Sequence, residues 1–208
     1  MTDRRATTTA RTLAVVLAAG AGRRFGGHQH KLDALIDGVS IADRAVGAAL
    51  DAGIGPVIVI VGAYRPPLSA HHDAAADGRL SIVENPRWSE GQSTSLQAAI
   101  AEGERRHAHA IVVGLADQPF IEPSAWRSVA SSDWPIAVAD YAEGRRNPVR
   151  LHRSVWPLLP TTGDHGAREL LRLRGDLVEP IPCAGSPADI DTLEDLRSWQ
   201  NRSSTNSP

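Results

Sequence analysis

The 208-residue chain has little lysine, almost no cysteine and no long apolar run. Lys+Arg together number 22, and Lys31 is the one lysine among them. Arginine stands almost everywhere else, so a lysine that stays marks a position that calls for a compact, flexible ammonium. The single cysteine, Cys183, excludes an internal disulfide and a disulfide-stapled secreted fold, which makes a reducing cytoplasm the expected setting. No local nucleophile signature surrounds it. No apolar run approaches the roughly 20 residues that span a bilayer, and the basic, Thr-rich start lacks the apolar block of a signal peptide. A formal net charge of −2 supplies no field that would draw nucleic acid or an anionic membrane. Hydrophobic residues make up 42% and charged residues 22%, as in a globular domain and unlike a disordered, coiled-coil or collagen-like chain.

The pattern predicts strands over residues 12–17, 56–61, 80–83, 110–115, 135–139, 148–151 and 177–181. Helices are predicted over 40–52, 67–76, 95–107, 123–131, 164–174 and 192–199, the first capped by Ser40 and stopped by Gly53. Several strands are apolar throughout, as expected when both faces of a parallel sheet are covered. The reading is one α/β domain over 12–199, with flexible polar tails at 1–11 and 200–208. In such sheets ligands sit at the carboxyl ends of the strands. Attention therefore falls on the loops after Leu17, Val61, Val83 and Leu115.

The first of these loops reads LAAGAGRRFGGHQHKL over residues 17–32. Small residues let the backbone come close to a ligand and aim amides at it, and Arg23, Arg24 and Lys31 follow at once. Amides and cations together suit a polyphosphate. The dinucleotide fingerprint GxGxxG fails, because Phe25 stands where its third glycine should be, and the Walker A pattern is absent. After the strand at 110–115, Asp117 is presented at the sheet edge as a ligand for a hard divalent cation, or as a turn residue. Asp189 and Asp191 flank Ile190, so an extended backbone puts both on one face. Thr192 opens the last helix with Asp195 in a capping arrangement. The histidine pairs 28/30, 71/72 and 107/109 lack a third spaced ligand and do not predict zinc.

Five segments, in order, resemble the molybdenum cofactor nucleotidyltransferase family, and within it the cytidylyltransferases. They are the 17–32 loop (LAAGxGxRxG, then a lysine), ENPRWSEGQSTSLQAAI (84–100), ADQP (116–119), GDHGAR (163–168) and DIDTLEDL (189–196). The resemblance extends over residues 13–196. The chain departs from the family pattern in a longer spacer holding His28 and His30, in Phe25 for the commoner Met, and in Arg146-Asn147 before Pro148-Val149.

The resemblance implies a Rossmann-like, three-layer α/β/α nucleotidyltransferase fold. It implies Mg²⁺-dependent transfer of a nucleotidyl group from an NTP, CTP first, to the phosphate of molybdenum-molybdopterin, with pyrophosphate released. The product would serve hydroxylases of the xanthine or carbon monoxide dehydrogenase type, which makes such an apoenzyme or its chaperone a further partner. Carried onto this sequence, Arg24 and Lys31 would be catalytic. Leu17, Ala18, Ala19, Gly20, Gly22, Gly91, Ser95 and Asp117 would join them in binding the nucleotide. Asn147, Asp164, His165 and Arg168 would bind the acceptor, with Asp164 capping a helix that begins there. Asp117 and Asp191 would hold the metal, with Asp189 the alternative to Asp191. Trp88 is read as a packing residue or a stacking platform. Two other readings stand beside this one. The protein could be a guanylyltransferase, or a transferase for another phosphorylated small molecule. It could also be a silent carrier that binds nucleotide and pterin.

Overall fold

The computed structural model describes residues 12–26 and 29–205, and the side chains of 12–26 and 29–200. The expected tails at 1–11 and 206–208, and His28, lie outside the described residues. The chain opens with β1 (Thr12–Ala18), passes a small hairpin of β2 (Leu35–Ile36) and β3 (Val39–Ser40), and enters α1 (Ile41–Ala52). Ser40 Oγ accepts from the Asp43 amide, and Gly53 closes α1 in the left-handed conformation, as its sequence predicts. Next come β4 (Val57–Val61), a short α2 (His72–Ala76), β5 (Leu80–Glu84), α3 (Gln92–Arg105) and β6 (Ala110–Leu115). The second half adds α4 (Pro123–Ala130), the hairpin β7 (Ile136–Tyr141) and β8 (Gly144–His152), α5 (Arg168–Leu173), β9 (Val178–Pro182) and α6 (Leu193–Thr205).

Seven strands form one sheet in the order β5-β4-β1-β6-β8-β7-β9, in which β8 alone runs against the others. The period-2 alternation of β1 explains its continuous apolar run. Ala14 and Val16 face Ile41, Val46, Trp126 and Ile190, while Leu13 and Val15 face Leu96, Ala99 and Trp156. Each face is thus covered, and each fully buried Val or Ile contributes about 1.5–3 kcal/mol. The result is a single three-layer α/β domain with a mostly parallel sheet. Among the described residues no helix is long and apolar enough to cross a membrane.

Several boundaries differ from those the sequence predicts, three of them for a clear local reason. The strand expected at 148–151 begins at Gly144, because antiparallel pairing to β7 draws in the charged Arg145 and Arg146. The helix expected at 164–174 is confined to Arg168–Leu173, because Gly163 and Gly166 both take positive φ. The last helix runs past Trp199 to Thr205, so residues 200–205 are helical instead of tail. No Gly or Pro interrupts it there, and Trp199 stacks on Phe120 with ring centroids 3.8 Å apart.

Gly114 shows how tightly α4 lies on the sheet. A Cβ there would stand 2.5 Å from Cζ2 of the buried Trp126. Gly114→Ala is expected to cost about 1–3 kcal/mol through overpacking and to lower the Tm by several degrees. An unchanged Tm would mean that the indole has room to move.

Candidate active site

The site is built on the carboxyl edge of β1 and β6. Two backbone bonds hold the first loop to its neighbours: Ala63 N donates to Ala19 O (3.1 Å), and Ala116 N donates to Leu17 O (3.0 Å). Gly22 turns the loop at φ +61°, and a Cβ there would stand 2.9 Å from His30 Nε2. The His30 ring lies beneath the glycine turn and stacks on Tyr64 at 4.0 Å. Tyr64 OH donates to Asp33, which pushes the phenol up to about 12. His30 Nδ1 accepts from the Leu32 amide (3.3 Å), so the neutral ring carries its proton on Nε2. That bond also caps the single turn Lys31–Asp33, which aims Lys31 into the cleft.

Lys31 is 9% exposed, and its Nζ lies 2.6 Å from Asp117 Oδ2 and 2.9 Å from Asp191 Oδ1. Burial alone would lower this ammonium, but Asp117 and Asp191 outweigh it and hold its pKa above the usual value. Arg24 Nη2 meets Asp191 Oδ2 at 3.0 Å, with its side chain 76% exposed. An ion pair that open contributes at most about 1 kcal/mol, so the guanidinium is free to turn to another anion. Ile190 N donates to Asp117 O (2.9 Å), fastening the 189–191 segment to the end of β6. The Thr192–Asp195 cap then fixes Asp191: Asp195 Oδ2 accepts from the amides of Asp191 and Thr192, and Thr192 Oγ1 accepts from Asp195 N. Gly20, Gly22, Arg24, Lys31, Asp117 and Asp191 line one cleft of about 290 Å³.

The carboxylates suit a hard divalent cation. Asp117 Oδ1 is buried with no hydrogen-bond partner among the described residues, and Asp189 is pushed up by burial and by the charges of Asp117 and Asp191. Among the described residues no three His, Cys, Asp or Glu are arranged as a closed metal cage. A cation of the Mg²⁺ type asks for less: one or two carboxylates, with phosphate oxygens and water completing its shell.

Beside the cleft a second cavity of about 400 Å³ is lined by Ala19, Gly20, Trp88, Gly91, Ser95 and Asp164, among others. Leu17 and Asp117 border both spaces. Residues 14–179 match the family described as the MobA-like NTP transferase domain. The chain belongs to this family. Its nucleotidyltransferase fold and family are shared with proteins of similar length. The purine catabolism protein PucB of Bacillus subtilis (strain 168) is 28% identical over 192 residues, covering 88% of this chain and 93% of that protein. The crystal structure of Rv0371c from Mycobacterium tuberculosis H37Rv superposes with a TM-score of 0.75 at 27% identity, covering 93% of this chain and all of that one. A structure of Rv0371c in complex with manganese gives 0.67 at 26% identity, over 92% and 98% of the two chains.

For this nucleotidyltransferase, the residues predicted from sequence are spread over neighbouring spaces. Leu17, Ala18, Gly20, Gly22, Arg24, Lys31, Asp117 and Asp191 share the first cleft; Ala19, Gly91, Ser95 and Asp164 border the second, and Asp189 lines a third. Ser95 is no free cap: α3 begins three residues earlier, at Gln92, and Ser95 Oγ accepts from the buried Asn85 Nδ2 (3.0 Å). Asp164 caps no helix, since Ala167 precedes α5 without a side-chain bond. Instead the 163–166 turn is tied to α3: Ser93 N donates to Gly163 O, and Gly166 N donates to Ser93 Oγ. This places Asp164 against Gly91 on the second cavity, apart from His165, Asn147 and Arg168. With only six residues, α5 also offers no helix-terminal anion site beside Arg168. Trp88 packs on Gly62, where a Cβ would stand 2.4 Å from the Trp88 Cβ, and still borders the cavity. Arg23, read from sequence as one of the cations beside the glycine loop and left out of the named site residues, touches both spaces, and Gln92, inside the 84–100 segment, opens α3 and lines the second.

His30 links the loop to pH. Burial, first, and the Lys31 charge lower its pKa below the ordinary 6.5, against an opposing pull from the Gly20 carbonyl. The folded state therefore takes up this proton later than the unfolded chain. Stability is retained above about pH 6.5 and is lost as pH falls from there to the lower folded pKa. His30→Gln is expected to flatten this part of the profile of Tm against pH. An identical slope in both proteins would show that His30 is not held neutral.

Proposed function

We propose that this nucleotidyltransferase moves a cytidylyl group from CTP, with Mg²⁺, to the phosphate of molybdenum-molybdopterin, releasing pyrophosphate and forming a dinucleotide cofactor. One observation carries the reading: the only lysine of the chain, buried at the end of a glycine loop, is clamped between Asp117 and Asp191 in a single cleft. An acceptor oxygen forms a bond to the α-phosphorus as the bond to the pyrophosphate oxygen breaks. Such an in-line displacement needs alignment and charge neutralisation more than proton transfer. The amides around Gly20 and Gly22 cradle the phosphates, and Lys31 Nζ and Arg24 neutralise the charge that builds on the leaving group. Asp117 and Asp191 would hold Mg²⁺, which would supply positive charge against the transferring phosphate when bound. The base and sugar occupy the second cavity, between the Ala19–Gly20 edge and the start of α3 at Gly91–Ser95.

The manganese complex of Rv0371c supports a divalent cation here. The naming of PucB as a purine catabolism protein accords with a product used by hydroxylases of the xanthine dehydrogenase type. The choice of CTP and of a pterin acceptor rests on the sequence resemblance. A panel of CTP, GTP, ATP and UTP with molybdenum-loaded molybdopterin tests it through pyrophosphate release. Release with CTP in excess over the others is expected. Preference for GTP would mark a guanylyltransferase, and tight CTP binding without turnover at saturating Mg²⁺ would mark a carrier.

A further inference from the structure

A third cavity, of about 540 Å³, lies over β8, on the far side of β6 from the glycine loop. Its rim carries four arginines drawn from two distant segments. Arg145 and Arg146 open β8, and Arg168 and Arg172 lie one turn apart on α5. Val149, Leu171 and two further apolar side chains line the rest together with Gln118, Asn147 and Asp189. Gln118 and Asp189 line the cavity, and Asp117 and Ile190, their chain neighbours, are joined by a backbone bond, so the cavity opens beside the proposed reaction centre. Asn147, Val149, Arg168 and Leu171 also border a small neighbouring cavity that reaches Leu17 and Leu115.

These arginines differ from others on the same surface. Arg87, Arg105 and Arg174 each make a close ion pair with a nearby carboxylate. Among the described residues, none of Arg145, Arg146, Arg168 and Arg172 is paired with one, and Arg146 Nη1 donates only to the Arg145 carbonyl (2.9 Å). The chain as a whole is slightly acidic, so four unneutralised guanidiniums around one cavity are a local concentration of charge. They repel one another unless an anion joins them, and the planar guanidinium fork matches an oxyanion in two-point contact.

We propose that this cavity is a second anion subsite for the acceptor. It holds an oxyanionic group at the end of the acceptor remote from the attacking phosphate, with an apolar body lying across Val149 and Leu171. This rests on the proposed transferase reading and sharpens it: the acceptor is a molecule with two separated anionic ends, and a simple sugar monophosphate would leave the arginines unused.

The probe is inorganic phosphate, titrated calorimetrically at constant ionic strength into the full-length protein, into Lys31→Ala and into Arg145→Gln/Arg172→Gln. Wild type is expected to show two classes of site. Lys31→Ala should lose the site at the glycine loop and keep the other. The exposed double arginine substitution should weaken that other site by about tenfold or more, with Tm and CTP affinity unchanged. Equal phosphate binding by the double variant and wild type, or a single site abolished by Lys31→Ala, would overturn the proposal. Failure of wild type to bind CTP would instead overturn the transferase reading, whatever the arginine cavity binds.

Discussion

Lys31→Ala should lower kcat/KM for pyrophosphate release by about 100- to 1,000-fold, the usual cost of deleting one preorganised donor from developing charge. The reasoning starts from the sequence, where this is the one lysine against a background of arginine. The fold then buries it and gives its ammonium two carboxylate partners within 2.9 Å. A compact three-donor group can leave one carboxylate for a phosphate oxygen without repacking the cleft. Arginine at this position is planar and longer, so Lys31→Arg is expected to restore little of the loss. Lys31→Ala also leaves Asp117 and Asp191 facing each other without a counter-charge between them. The Tm of Lys31→Ala should therefore fall without divalent cation and recover more than wild type when Mg²⁺ is added. Activity within threefold of wild type would remove Lys31 from the mechanism.

Asp117→Asn should have an effect at least as large, about 1,000-fold on turnover, with the fold intact. The substitution keeps the shape and the main-chain carbonyl that accepts from Ile190 N, and Lys31 retains Asp191. What goes is the negative charge at the end of β6, including the buried Oδ1 that has no partner among the described residues. Mn²⁺ binding in the presence of CTP, followed by electron paramagnetic resonance, should weaken in parallel with turnover. Asp191→Asn should resemble Asp117→Asn, because Asp191 shares Lys31 with it. Asp189→Asn should be milder, since Asp189 lines the arginine cavity and stands outside that clamp. Full turnover in Asp117→Asn with undiminished Mn²⁺ affinity would rule out a cation at this carboxylate.

Much of this was legible in the sequence, for identifiable reasons. The β1, β4 and β6 runs are apolar throughout because two layers of helices cover them, so their pattern could be read without knowing the partners. Their carboxyl ends then located the glycine loop and Asp117. The clamp between Lys31, Asp117 and Asp191 joins positions 86 and 160 residues apart. Residue types and the resemblance suggested it, but only the strand order β1-β6 and the bond from Ile190 to Asp117 bring it together. Elements set by long-range packing were harder to read. The end of α6 depends on Trp199 meeting Phe120, and the start of α5 depends on two glycines whose positive φ a helical pattern does not reveal. The arginine cavity had no local signature either. Its charges come in two doublets whose nearness is a property of the β8 and α5 placement.

A crystal grown or soaked with CTP and Mg²⁺ puts the central claim to the most direct trial. The account predicts the triphosphate within hydrogen-bond distance of the Gly20–Gly22 amides and Lys31 Nζ, with the cation bound to Asp117 and Asp191. A nucleotide seated elsewhere, with the Lys31–Asp117 pair closed and no phosphate beside it, would contradict it.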